Sequence, residues 1–285
     1  MNGDFESSVA VIIPSFNRRE ITVACIRNLN VSCSKLFRIF VCDSGSSDGT
    51  PEAVKVESQV TLIHAGSSAW WSAAVNSGVR AALKEGFRVF LILNDDISFE
   101  GDVVGKMLQG HQQHPDCILT PIQKTALGRF AGIRYRGVKK RIEYLLSDED
   151  GAVVDSSNGC CLLIPATVFE RAGLFDEARC PQLYGDTEFQ LRAARSGFPT
   201  VVVGAVTITQ LGNSNYFARL NLGSIFTFEG SPLHWLAYFA FGTQLYRGRL
   251  RFLFLGYAHH TMYLKTLLKA LVAIAHRLRA SEPSS

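Results

Sequence analysis

Asn94, Asp95 and Asp96 interrupt an apolar run, FLILNDDISF, at residues 90–99. Two adjacent carboxylates repel each other, and both need water, a donor or a cation. Mg2+ or Mn2+ meets that need, because such an ion takes one or two carboxylates, some waters and the phosphate oxygens of a substrate. A solvated turn or helix start is the plainer reading of the same residues. Asp43 stands where another apolar run stops, at LFRIFVCD, and a carboxylate there can accept hydrogen bonds from a base or a ribose. Asp48-Gly49, a few residues on, reads as ordinary turn chemistry. Asp186 and Glu188 open the segment YGDTEFQL. They suit either the positive end of a helix or a general base that takes a proton from an acceptor hydroxyl. Of the pair Trp70-Trp71, one suits packing and the other a pocket wall for a sugar or a base.

The elements that must hold these groups alternate. VAVIIP, LFRIFVCD, VTLIHAG and RVFLILNDD read as buried strands. Between them NRREITVACIRNL, the stretch opened by Thr50-Pro51, and SAAVNSGVRAALKEGF read as helices, with Thr50 as N-cap and Pro51 at the first helical position. Continuous apolar strands separated by helices predict an α/β fold with a mostly parallel sheet covered on both faces. Ligands of such sheets sit beyond the carboxyl ends of the strands. Pro14, Ser15 and Asn17, then Asp43, then Asn94 to Asp96, all fall at those ends. Further along, residues 102–114 read as a helix, 117–121 as a short strand and 124–150 as a variable loop or hairpin. SNGCCLLIP then reads as a strand, TEFQLRAARSGF as a helix with Gly197 at its C-cap, and TVVVGAVTI as a buried strand. Beyond Leu211 the chain turns aromatic and irregular until a last helix over residues 264–279.

Bulk properties narrow the classes. The 285 residues are 47% hydrophobic and 19% charged, an ample core for a globular chain. A net charge of +4 with no Lys/Arg block gives no nucleic-acid signature, and suits an anionic small molecule or an anionic membrane surface. Seven cysteines without C-x-x-C spacing point to reduced thiols in a cytoplasmic protein rather than to a disulfide framework or a zinc site. The acidic opening MNGDFESS before a short apolar run is unlike a secretory leader, and no apolar stretch reaches the ~18 residues of a membrane span. In the last helix Leu264, Leu267, Leu268, Leu271, Ile274, Ala275 and Leu278 share one face, with Lys265, Lys269, His276 and Arg277 largely opposite. Such a face fits the protein's own core, a second copy in a homodimer, or the surface of an anionic membrane.

Six motifs in order, VIIPSFNR, VCDSGSSDGT, WWSAAVNSGV, FLILNDDISF, SNGCCLLIP with GLFD, and YGDTEFQLRAARSGF, give the chain a resemblance to the family-2 glycosyltransferases. It covers about residues 9–211, and the NDD and AWWSAAVNSGV variants look most like rhamnosyltransferase-like bacterial enzymes of surface-polysaccharide synthesis. The resemblance implies a Rossmann-like GT-A catalytic domain over residues 1–211 and a helical, aromatic extension over 212–285. It also implies a nucleotide-sugar donor, a UDP- or dTDP-sugar, with Mg2+ or Mn2+, and a glycan or lipid-linked acceptor. Pro14, Ser15 and Asn17 would border the nucleoside, Asp43 would contact the base, and Trp71, Asn76 and Asn94 would complete the donor site. Asp95 would touch the ribose, Asp96 would hold the metal, and Asp186 would be the base of an inverting displacement.

Two departures from the family pattern stand out. Many relatives carry a His after the strand that here ends VTITQLGNS, where this chain has Thr209-Gln210. The Q-x-x-R-W signature and the membrane spans of processive relatives are missing too, which implies one sugar per encounter. A nucleotidyltransferase, or a catalytically silent sugar-nucleotide-binding scaffold, are the competing readings. The first lacks its basic Gly-rich phosphate loop. The variable segments 124–143 and beyond Gly212 would read donor sugar and acceptor, with Tyr216, Phe217, Phe226, Phe228 and Trp235 as satellite core or lipid contacts.

Overall fold

The computed structural model describes residues 8–33, 37–67, 69–125, 128–146, 149–211 and 234–280. Tyr216, Phe217, Phe226 and Phe228, named above, lie outside them.

Four parallel strands make one half of the sheet: β1 (Val9–Ser15), β2 (Phe37–Asp43), β3 (Val60–His64) and β4 (Val89–Leu93). Their spatial order is β4-β1-β2-β3, with Ser15 opposite Asp43 and Asp43 opposite His64. The helices between them are α1 (Arg19–Ser32), α2 (Thr50–Lys55) and α3 (Trp71–Lys84). Each strand alternates its side chains across the sheet. Val9, Val11 and Ile13 of β1 pack with Cys25, Ile26 and Leu29 of α1 and with Val54 of α2. Ala10 and Ile12 pack with Ala74, Val75 and Val79 of α3. Gly78 is what lets α3 lie so close: a Cβ there would fall 2.5 Å from Sγ of Cys42 and 2.7 Å from Ile12.

The other half is mixed. A short β5 (Ile97–Phe99) follows the NDD turn, and α4 (Val103–Gln113) is capped by Asp102, whose carboxylate accepts the Gly105 N–H. Then come β6 (Ile118–Thr125), β7 (Gly128–Phe130), the hairpin β8 (Gly132–Arg136) and β9 (Arg141–Leu145), β10 (Val153–Val154) and β11 (Cys161–Pro165). Two helices, α5 (Ala166–Ala172) and α6 (Gly185–Arg195), precede β12 (Thr200–Gln210). The sheet continues outward from β4 as β11-β6-β12-β10, with β11 antiparallel to β4 and β12 parallel to β6. Phe169 of α5 and Phe189 and Ala193 of α6 join the core on the α3 face.

The segment 124–150, read as a loop or hairpin, forms β7 and the β8–β9 hairpin. Two details differ from the sequence reading. The cap of α2 is Gly49, in the left-handed region at φ 84°, one residue before Thr50. Residues 235–246 form a helix, α7 (Trp235–Tyr246), followed by α8 (Arg249–Leu255) and α9 (Tyr257–Ala280).

Candidate active site

The edge beyond β1, β2 and β4 is laced by side chains from loops far apart in sequence. The Asp95 carboxylate is buried and held at both oxygens: Arg18 donates to Oδ1 at 2.7 Å and Thr22 to Oδ2 at 2.8 Å. Thr22 in turn shares a 2.8 Å hydrogen bond with Ser15 at the end of β1. Burial pushes the Asp95 carboxyl above its usual value, and Arg18 and Thr22 oppose that shift without cancelling it. Asp96 differs. Its Oδ2 lies 3.4 Å from the Arg18 guanidinium, while its Oδ1 is buried with no hydrogen-bond partner. An orphaned carboxylate oxygen in a buried site is costly unless something absent from the protein chain satisfies it. Of the two acids, Asp96 is the one the sequence reading assigned to a metal, and it is the one with an open oxygen.

Neighbouring loops are pinned to this edge. Asn17, at φ 51°, accepts the Ser47 N–H on its side-chain oxygen and donates its backbone N–H to Ser46 Oγ. Asp48 accepts the Arg19 and Thr50 N–H groups. The Asp43 carboxylate is buried and takes the N–H groups of Gly45 and Ser46, which fixes the turn after β2. Pro14 lies within β1, opposite Cys42.

On the far side, Asp186 sits in the first turn of α6. Its Oδ2 accepts the Gly159 N–H at 2.7 Å and its Oδ1 the Thr187 N–H at 2.7 Å. Burial raises its pKa, and these backbone donors pull it back only in part. The residue before the helix, Tyr184, adopts φ 63° and turns the chain into it. Gly159 must be glycine, because a Cβ there would lie 2.8 Å from that of Asp186 and 3.1 Å from the Trp71 ring. Trp71 points its indole N–H at the Asn94 side-chain oxygen, 2.9 Å away. The backbone N–H of Asn94 bonds the Cys160 carbonyl at 2.9 Å. Consecutive residues, Gly159 and Cys160, therefore hold Asp186 on one side and the NDD turn on the other. Gln190 locks the loop before β11 to α6, accepting the Ser157 N–H and donating to the Ser157 carbonyl.

The structure thus brings Ser15, Asp95, Asp96, Asn94, Trp71 and Asp186 into one connected network. It gives Asn76 a different task from the donor contact expected of it. Asn76 is fully buried, and its amide bonds the backbone N–H and C=O of Phe175 and the Glu177 carboxylate. Arg18, Thr22, Gly159 and Gln190 were not singled out from the sequence; Arg18, Gly159 and Gln190 do lie inside quoted motifs, but their partners are 77, 27 and 33 residues away. Thr209 and Gln210, where a His was expected, form the end of β12 against Ser98 and Ile97, and the next N–H, of Leu211, bonds the Asp96 carbonyl at 2.7 Å. Among the described residues no cluster of three His, Cys, Asp or Glu surrounds a metal position. The open Asp96 oxygen fits an ion such as Mg2+ or Mn2+ that takes a single protein carboxylate and fills its shell with diphosphate and water.

No curated protein sequence matches the chain. Among solved structures, GalNAc-T7 crystallised with UDP, GalNAc and Mn2+ is similar with a TM-score of 0.59 at 12% identity, over 74% of this chain and 45% of that one. A mannosyltransferase of Pyrobaculum calidifontis, PcManGT, in complex with GDP-Man and Mn2+, gives 0.56 at 16% identity, over 98% and 77%. S. aureus TarS, residues 1–349, gives 0.52 at 15% identity, over 74% and 62%. The chain therefore spans less than two thirds of the length of two of these three. At such identities the likeness is one of fold, the GT-A arrangement of a mostly parallel sheet between helices. The sequence model described as glycosyl transferase family 2 matches residues 10–172, more than half of the chain, and with that match the chain belongs to glycosyl transferase family 2.

Proposed function

We propose that the chain is a non-processive, inverting glycosyltransferase. It moves one sugar from a nucleotide-sugar donor, of the UDP- or dTDP-sugar class, to a hydroxyl of a glycan or lipid-linked acceptor, in the cytoplasmic assembly of bacterial surface polysaccharide. The observation that carries this reading is the convergence of two acids of different character: Asp96, after β4, with an orphaned oxygen, and Asp186, in the first turn of α6, with a raised pKa, both tied to the Gly159–Cys160 segment. The UDP with Mn2+ in the GalNAc-T7 structure, and the GDP-Man with Mn2+ in PcManGT, support the donor class.

In this reading Asp186 is the base. Each of its oxygens accepts one backbone N–H and keeps lone-pair capacity for an acceptor hydroxyl. The acceptor O–H gives its proton to Asp186 as its oxygen bonds the anomeric carbon. The bond from that carbon to the diphosphate breaks, and its electron pair leaves with the diphosphate. A carboxylate whose pKa is raised holds a proton more tightly than an ordinary one, which favours it as a base. Asp96 would hold Mg2+ or Mn2+ through Oδ1, and the ion, when bound, would offset charge developing on the diphosphate. Asp95, fixed by Arg18 and Thr22, would contact a ribose hydroxyl. Pro14, Ser15, Asn17 and Asp43 border the nucleoside, Trp71 and Asn94 line the sugar side, and Asn76 acts one step back by holding residues 175–177.

A thermal-shift screen of nucleotide sugars with and without Mn2+ tests this. One donor should stabilise the protein, and more strongly with the ion. Asp186→Asn should keep that stabilisation and lose transfer. Absence of stabilisation by every donor would sink the reading.

A further inference from the structure

Between His234 and Ala280 the chain carries seven Lys and Arg and no Asp or Glu. That exceeds the net charge of the whole chain, +4, so the remainder is net acidic. The net positive charge is carried by residues 247–279, on and beside α8 and α9. Their exposed apolar residues are equally concentrated. On α8, Leu250, Leu253 and Phe254 occupy i, i+3 and i+4, one face of the helix, and are 71%, 50% and 81% exposed. Phe252, on the opposite face, is fully buried against Tyr238, Phe239 and Tyr246. Arg249 and Arg251 interleave with the exposed residues and are exposed themselves.

The longer α9 repeats the arrangement. Ala270 and Ile274 are buried, and Tyr263 and Leu267, which share their face, are half-buried. Leu264, Leu268, Leu271 and Val272 form a second stripe at i, i+4, i+7 and i+8 that is exposed, flanked by exposed Lys265 and Lys269. The apolar face read from the sequence as one stripe is thus two: one seated on the protein, the other turned outward beside lysines.

From this we infer that α8 and α9 dock the protein on the surface of an anionic phospholipid bilayer. Apolar side chains bordered by Arg and Lys suit the headgroup boundary, where leucine and phenylalanine enter the acyl region and the basic heads reach the phosphates. Among the described residues no helix is long and apolar enough to cross a membrane, so the helices lie on it. A second copy of the chain suits this face poorly. A two-fold contact would set Arg249, Arg251, Lys265 and Lys269 against their own counterparts with no acid on these helices to pair them. The inference goes beyond glycosyl transfer and does not depend on it. If both hold, they meet at α6: Phe241 of α7 stacks on Tyr184, ring centroids 5.2 Å apart, and Gln244 donates to Glu188 at 3.1 Å. The docked layer is then tied to the helix bearing Asp186, which would keep the base near a lipid-linked acceptor.

Vesicle co-sedimentation tests the inference without sugar transfer. The full chain should pellet with phosphatidylglycerol vesicles and at least tenfold less with phosphatidylcholine, and added salt should release it. Two variants at exposed positions, Leu250→Glu/Phe254→Glu and Lys265→Glu/Lys269→Glu, should each lower binding tenfold or more with an unchanged melting temperature. Equal binding to both vesicle types would overturn the inference, as would no binding to either. So would light scattering that shows a dimer which Leu250→Glu/Phe254→Glu converts to monomer, because a second copy would then be the occupant.

Discussion

Asp186 and Asp96 are both carboxylates at one sheet edge, yet their surroundings make them opposite in chemistry. Asp186 is raised by burial and accepts one backbone hydrogen bond on each oxygen, a character that suits the base role proposed for it. Activity that needs its ionised form should fall as pH drops through its pKa, and because that pKa is raised, the acid limb of kcat/KM should lie above the ordinary carboxylate range of ~3.9. Asp186→Asn should lower kcat by about 10²–10⁴ while the donor Kd, measured by calorimetry, stays within a few-fold. Gly159→Ala is the sharper probe of geometry. Its methyl would press on Asp186 and Trp71, and a displacement of the base by less than an ångström should cost on the order of 10²-fold in kcat in a steady-state assay. Much of this was legible in the sequence, because each strand ended in polar residues and a parallel sheet gathers such ends at one edge. Arg18, Thr22 and Gly159 were not legible, because what gives each its role is a partner on another loop.

At the level of elements, the parallel half of the sheet followed from its apolar runs, whereas β6 was read as ending at Pro121 and in fact runs on to Thr125. The reason is local. Pro121 pairs with Val203 directly before the register of β12 shifts, and β11 pairs with β6 only at Leu119, so the missing N–H falls where the ladder is already interrupted. The helix α7 escaped detection because WLAYFAFGTQLY is apolar on every side and shows no period. Asn76 shows what an element gains from a buried amide. It ties α3 to the turn at residues 175–177, and Asn76→Ala should cost about 1–3 kcal/mol in denaturant unfolding by stranding the Phe175 backbone groups.

Across the described residues, the layer of C-terminal helices is packed on the β8–β9 hairpin and α6. Tyr135, Leu191, Tyr238, Phe241, Leu245, Tyr246 and Phe252 form one cluster drawn from the β8–β9 hairpin, α6, α7 and α8. Calorimetry should therefore show one unfolding transition. His259 sits within this layer. Tyr246 donates its hydroxyl to the Lys139 carbonyl, so the His259 Nδ1–H donates to Tyr246, and the Nε2 lone pair is buried without a partner. Burial, aided by His260, holds its pKa at about 4, against 6.5 for a free histidine. The folded state thus prefers the neutral ring. Its contribution is whole above pH 6.5, diminishes as the pH falls toward 4, and is gone below. His259→Phe should flatten the decline in melting temperature over that window.

The Arg18 guanidinium touches both carboxylates of the NDD turn. With a fixed cation in place, two adjacent acids do not repel each other apart when a chelator strips the divalent ion. The protein should therefore tolerate EDTA during purification, and simple dialysis against Mn2+ should restore activity without refolding. Arg18→Ala should make the same chelation step damaging, visible as aggregation on storage at low ionic strength. In the proposed reading the arginine is a resting counter-ion, and it would let metal occupancy vary with supply while the fold does not.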